Sequence, residues 1–328
     1  MSPNTYDENR SFIYFLILII ATSFIFVFEG LYDKTIGILG IIWGIYGFFR
    51  LVHLTASVAN PPYILSLPAQ LLFGLAKQQE EKILVIVKRL SQQDVVLWFS
   101  GAVVFIVLAI AFSIFPSEIT VMKTLQLEQE TLLDFSVSGR TDPYLLMKGV
   151  SSYAVLGLVV LSALSYSQSR SNIHWSLLFL FPVFLTGAAL HVILSPLADP
   201  VLWPDLSIMR GGGFGQSDVM HLLVPDVMKN SGTGLMARFT EFGMLGAYGT
   251  YMLFIPAVLI MIEALFNRAC GYLKPVAGLF CFGVLVVLDM FWIMSPMALA
   301  LQVIGLALGA LCWGACCTDR KTLTKEQK

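Results

Sequence analysis

Residues 275–316 read PVAGLFCFGVLVVLDMFWIMSPMALALQVIGLALGALCWGAC, and Asp289 is the only charged side chain among them. A helix needs about 20 apolar residues to cross the hydrocarbon core of a bilayer. This stretch is twice that length, and proline at 296 cannot continue a helix from before it. It therefore reads as two spans, 275–293 and 297–316. Each must be helical, because unpaired backbone polar groups are too costly in lipid. Six more stretches of the same kind lie upstream, at 11–29, 35–57, 95–115, 148–167, 175–195 and 244–266. The predicted fold class is all-α. The chain reads as a polytopic integral membrane protein with about eight transmembrane helices in one transmembrane domain, 1–328. A large outer loop, 196–243, separates helices 5 and 6.

The bulk numbers agree with this reading. Of 328 residues, 57% are hydrophobic and 12% charged, with a mean hydropathy of +0.79. A soluble domain usually carries about 25% charged residues. A net charge of -1 offers no basic face for nucleic acid. Five cysteines show no CxxC or Cys/His spacing, so neither a metal site nor a disulfide framework is expected. No cofactor is expected either. No small-residue cleavage site follows the first apolar run, which reads as a retained helix.

Orientation follows from lysine and arginine, which are enriched in cytoplasmic loops. With the N-terminus inside, the inner segments hold twelve of these residues and the outer segments six, although the outer segments are longer. The expectation is a multi-pass protein with both termini cytoplasmic and loop 196–243 outside. Inner segment 58–94 opens with Pro61, Pro62 and Pro68, then mixes apolar and charged residues as an interfacial helix does. In outer segment 116–147, Arg140 and nearby Lys148 form a cationic edge, suited to a phosphate or to snorkelling among lipid headgroups.

Loop 196–243 concentrates the polar chemistry. MRGGGFGQSD places Arg210 before Gly211, Gly212 and Gly213. Glycines let backbone approach a ligand closely, and successive amides can form an anion-binding nest. A P-loop is excluded, because GxxxxGK[ST] is absent. Asp218 and His221 are three apart, the spacing at which a carboxylate orients an imidazole base on one helical face. Arg238 and Glu241 share that spacing where the loop enters the sixth span. They read either as a local ion pair anchoring the helix end or as an arginine aimed at phosphate. Asp289 is a carboxylate inside a span, which marks a functional site by default. His191 lies near the outer end of the fifth span, as a packing residue or facing an outer cavity.

The order of parts resembles the O-antigen polymerase and O-antigen ligase superfamily of bacterial envelopes. The resemblance covers residues 205–260. It rests on Asn230, Ser231, Leu235, Glu241, Gly243 and Gly246, which match a pattern ending in Glu-x-Gly-x-x-Gly, and on the upstream GGGFGQSD. Two departures stand out. Only five spans precede the loop, and His221 is followed by Leu222 where the ligases have asparagine, so the polymerase is the nearer likeness.

The resemblance implies polymerisation or transfer of a polyprenyl-diphosphate-linked glycan on the outer face of a bacterial inner membrane, without metal or nucleotide. It implies membrane lipid and envelope proteins as further partners. Arg210 and Arg238, with Arg140 and the Gly211–Gly213 turn, would then bind the diphosphate, since a guanidinium matches phosphate with paired hydrogen bonds. His221, Glu241 or Asp289 would take the acceptor proton, with Asp218 beside His221. Two other classes compete. A transporter or channel would use polar residues such as Arg50, His53, His191 and Asp289 as a path, although no inverted repeat is visible. A non-enzymatic subunit of an envelope assembly would use Trp203, Phe214 and Phe239 as contact residues.

Overall fold

A computed structural model describes residues 3–27, 38–49, 101, 104, 107, 143–167, 169–195, 197, 233–266, 271–292 and 295–326. The segment expected at 58–94, residues 116–142 of the segment expected at 116–147, loop residues 198–232 and nearly all of the span expected at 95–115 lie outside the described residues. So do Arg50 and His53.

The described residues are helical: α1 (Pro3–Val27), α2 (Ile38–Phe49), α3 (Pro143–Tyr166), α4 (Arg170–Leu194), α5 (Gly234–Met252), α6 (Phe254–Phe266), α7 (Leu273–Phe291) and α8 (Pro296–Glu326). Among the described residues, five stretches are long and apolar enough to cross a membrane: Arg10–Val27, Arg170–Leu194, Glu241–Leu265, Leu273–Phe291 and Met297–Thr318. Shorter apolar helices, Ile38–Phe49 and Tyr153–Tyr166, fall where two further spans are expected. The chain is a multi-pass membrane protein, almost entirely helical among the described residues. The span expected over 244–266 runs through two helices, α5 and α6. Pro256 lacks the N–H that would bond to the carbonyl of Met252, which accounts for the division at Leu253.

α8 is the axis of the bundle. Its apolar window, Met297–Thr318, is 83% buried, whereas the other four spans are 28–44% buried. It packs against α1, α3, α4, α6 and α7. The sequence explains how one helix can hold so many neighbours. Small residues recur along it (Ala300, Gly305, Ala307, Gly309, Ala310, Gly314, Ala315), and small residues let helices approach closely in lipid. A Cβ on Gly305 would stand 2.6 Å from the Phe184 ring of α4, and one on Gly309 would overlap the Phe282 ring of α7. The outer helices turn apolar faces away from the bundle. Leu178, Phe179, Val183, Leu190 and Ile193 of α4 are all exposed, the inverse of a soluble protein's pattern and the expected lipid face.

The helix ends sort into two sides. On one, the hydroxyls of Ser11 (α1), Tyr46 (α2) and Tyr166 (α3) form a chain with 2.6 Å links. The C-terminal half of α8 reaches the same end, where Gly314 abuts Ser167. On the other side lie the C-termini of α4 and α7 and the N-termini of α5 and α8. His191 Nδ1 lies 3.0 Å from Ser195 Oγ and 3.3 Å from Ser295 Oγ, tying the end of α4 to the start of α8. A backbone bridge between Leu197 and Trp292 ties the ends of α4 and α7. α1 therefore begins on the side where α8 ends, and the polar site described next lies on the opposite side.

Candidate functional site

The site begins with the start of α5. Thr233 caps the helix, its side chain accepting from the Met236 backbone N–H at 3.0 Å. The first segment carries Arg238, Glu241 and Phe242, and then the helix breaks. Gly243 has φ 69° and ψ -168°, a region open almost only to glycine. Met244–Met252 then resumes as a helix and carries Tyr251.

That break decides which residues meet. Arg238 Nη1 donates to Tyr251 Oη at 3.4 Å, although the two are 13 positions apart. An unbroken helix would separate their backbones by about 20 Å and point them to different faces. The kink at Gly243 turns the first segment relative to the second and brings the two side chains together. Phe239 packs with Ala247, Leu235 and Met244 across the turn, and Phe242 meets the Tyr153 ring of α3 edge-on at 4.9 Å.

Asp289, on α7, receives the result. Arg238 forms an ion pair with its Oδ2, and the Tyr251 hydroxyl donates to the same oxygen. Gln302 of α8 donates from Nε2 to Oδ1 at 3.2 Å. The Arg238 guanidinium carbon also lies 5.7 Å from the centroid of the Tyr251 ring, within cation–π range. Asp289 is 4% exposed and Arg238 13%, so neither charge is hydrated as it would be at a surface. Three donors from two helices, α5 and α8, compensate the carboxylate, as a buried charge requires. The contacts on Arg238 engage Nη1, and a guanidinium carries further N–H donors on Nη2 and Nε. Glu241, also buried, is hydrogen-bonded by the Tyr153 hydroxyl.

Arg238, Asp289, Tyr251, Gln302 and Tyr153 all line one cavity of about 460 Å³. Its lining comes from α3, α5, α6, α7 and α8. Below the polar end the lining turns apolar through Leu156, Val160, Leu285 and Leu306, and reaches Leu164 and Trp313 at the other end.

The residues singled out by sequence thus divide. Arg238 and Asp289, 51 positions apart, share one site. Glu241 adjoins it through Tyr153, and the carboxylate that pairs with Arg238 is Asp289. Arg140, Arg210, Gly211, Gly212, Gly213, Asp218 and His221 lie outside the described residues. His191 fastens helix ends and is not among the residues lining the cavity. Sequence reasoning missed Tyr153, Tyr251 and Gln302. Gln302 carried a signal, being the only amide in an otherwise apolar span. The tyrosines carried none, since tyrosine is ordinary near membrane interfaces. Among the described residues, no three His, Cys, Asp or Glu side chains converge as a metal site would require.

No protein-family model matches the chain, and no curated protein or solved structure is detectably similar to it.

Proposed function

We propose that this protein transfers or polymerises a polyprenyl-diphosphate-linked glycan at the outer face of a bacterial inner membrane, with both termini cytoplasmic. One observation carries the reading. A cavity within the helix bundle has a polar end built from Arg238, Asp289, Tyr251, Gln302 and Tyr153, and the rest of its lining is apolar. A lipid-linked sugar has the same division. Its diphosphate and sugar need hydrogen-bond donors and acceptors, and its tail needs a dry surface.

In this reading Asp289, Tyr251 and Gln302 hold Arg238 in place. Its Nη2 and Nε donors meet the diphosphate, joined by Arg210, Arg140 and the Gly211–Gly213 turn of the outer loop. The acceptor sugar's hydroxyl oxygen attacks the anomeric carbon of the donor. The new glycosidic bond forms as the bond from that carbon to the diphosphate oxygen breaks. The acceptor proton passes to a carboxylate or imidazole base, Glu241 beside Tyr153 or His221 with Asp218, and polyprenyl diphosphate leaves with the bond's electron pair. Asp289 is engaged by three donors and serves here to hold Arg238. Membrane lipid and envelope proteins complete the set of partners.

Arg238→Ala is expected to abolish long-chain surface glycan while leaving the protein in the membrane, read by glycan gel profile and membrane fractionation. Normal chain length in that variant removes the proposal. Transport is the second reading, and the break in α5 favours it, since transporters build sites from discontinuous helices. There, lipid-linked units of normal size would fail to cross the membrane in the variant, instead of reaching the outer face unpolymerised.

A further inference from the structure

We infer that Tyr153 is the catalytic residue that takes the acceptor proton, its hydroxyl relaying that proton from the cavity to Glu241 behind it. The inference rests on the transfer reading above and deepens it, since that reading leaves the base open between Glu241 and His221.

Access decides which group meets substrate. Glu241 is 3% exposed and is not among the residues lining the cavity. Tyr153 of α3 does line it, and its hydroxyl is hydrogen-bonded to Glu241. A substrate in the cavity therefore meets the phenol oxygen, with the carboxylate one hydrogen bond further back. A general base must lie within hydrogen-bond reach of the proton it abstracts. Tyr153 meets that requirement directly, and Glu241 only through it. The same hydroxyl stands in the field of Arg238 on α5 and of Asp289 on α7. The relay thus faces the arginine that holds the diphosphate.

The other titratable groups on the cavity wall have different tasks. Among the described residues these are Arg238, Asp289 and Tyr251. Asp289 already accepts from Arg238, Tyr251 and Gln302, and a proton added there dissolves the ion pair that positions Arg238. The Tyr251 hydroxyl donates to that same carboxylate, so a relay through it ends at the same cost. Tyr153 leads to a second carboxylate, and a proton on Glu241 leaves the Arg238–Asp289 pair whole.

The step balances. The acceptor's O–H bond breaks as its oxygen closes on the anomeric carbon, and its proton goes to the Tyr153 oxygen. The original Tyr153 O–H bond breaks in turn, and that proton goes to a Glu241 carboxylate oxygen. Tyr153 ends neutral, Glu241 ends protonated, and polyprenyl diphosphate carries away the electron pair of the broken bond.

Packing makes the conservative variant clean. The Tyr153 ring is held edge-on by Phe242 at 4.9 Å, a contact that Tyr153→Phe keeps while removing the hydroxyl. The experiment measures the initial rate of long-glycan formation in membrane vesicles from glycan-producing cells, fed by their own lipid-linked units and normalised to the amount of protein in the membrane. Tyr153→Phe and Glu241→Gln are each expected to slow the rate about a hundredfold, the scale of general base catalysis. The double variant is expected to be no slower than either, because the two act as one unit. Difluorotyrosine in place of Tyr153 nearly keeps the shape and makes the hydroxyl more acidic. The relay needs that hydroxyl protonated, so the alkaline fall in rate is expected at lower pH than in the parent. A parental rate in Tyr153→Phe overturns the inference, as do multiplying losses in the double variant or an unmoved alkaline limb with difluorotyrosine. Loss in His221→Ala beside a parental rate in Tyr153→Phe also overturns it and gives the base to the outer loop. The failures are distinguishable. A parental Tyr153→Phe with no long glycan in Arg238→Ala removes the relay and leaves the transfer reading standing. Normal long glycan in Arg238→Ala removes the transfer reading and the relay with it.

Discussion

Arg238 and Asp289 each make the other tolerable. A lone charge at their burial would be costly, and pairing with added hydrogen bonds offsets that cost. The two changes that break the pair are therefore not equivalent to removing it. Asp289→Asn keeps the side-chain shape but leaves a buried guanidinium without its counter-charge. It is expected to destabilise the protein by about 3–5 kcal/mol in reversible unfolding from mixed micelles. The double variant Arg238→Met/Asp289→Leu, which is apolar throughout, is expected to recover most of that loss. If the double variant is no more stable than Asp289→Asn, the pair is not the source of the effect. The pairing itself could not be read from sequence. Arg238 and Glu241 are three apart and invite a local ion pair, yet a carboxylate 51 positions away holds the arginine. Arg238 and Glu241 both lie on the continuous first segment of α5, so their spacing is helical; what it could not foretell is that the break at Gly243 brings Arg238 within reach of Tyr251 and Asp289.

At the scale of elements, Gly243 and α8 do the placing. Any L side chain at the backbone angles of Gly243 is strained by about 1–3 kcal/mol. Gly243→Ala would favour an unbroken α5, which draws Arg238 away from Tyr251 and Asp289. The expected outcome is coupling: the penalty of Asp289→Asn shrinks in the Gly243→Ala background, because the pair is already opened. Strictly additive penalties would show that the break is not what delivers Arg238. Along α8, Gly309→Leu forces a side chain into the Phe282 ring. Such overpacking is expected to cost about 1–3 kcal/mol, read in the same unfolding assay, with Gly283→Leu on the open face of α7 near neutral. The positions of the glycines were visible in sequence, but which one was a break and which a contact was not. Both roles use the missing Cβ, one for backbone freedom and the other for closeness.

For the whole molecule, the side on which each helix ends is open to test. Ser169 lies between α3 and α4, and Leu197 follows α4. In intact cells an impermeant thiol reagent is expected to label Leu197→Cys and to spare Ser169→Cys. Labelling of both from one side would break the alternation that puts the Arg238 site opposite the start of α1. The charge asymmetry, twelve lysines and arginines against six, already pointed to this arrangement.

Sequence alone determined that the chain is helical and embedded in a membrane, because the requirement to satisfy every backbone polar group in lipid leaves few alternatives. It also marked Asp289, as a carboxylate inside a span, and Arg238, as a guanidinium where the outer loop enters the sixth span. Only the tertiary structure decided that these two meet, that Tyr251 and Gln302 complete their site, and that an apolar groove runs from it along α8. Those facts depend on a break at one glycine and on the close approach of helices distant in the chain. The bilayer constrains what each span is made of, and packing between spans decides which side chains share a site.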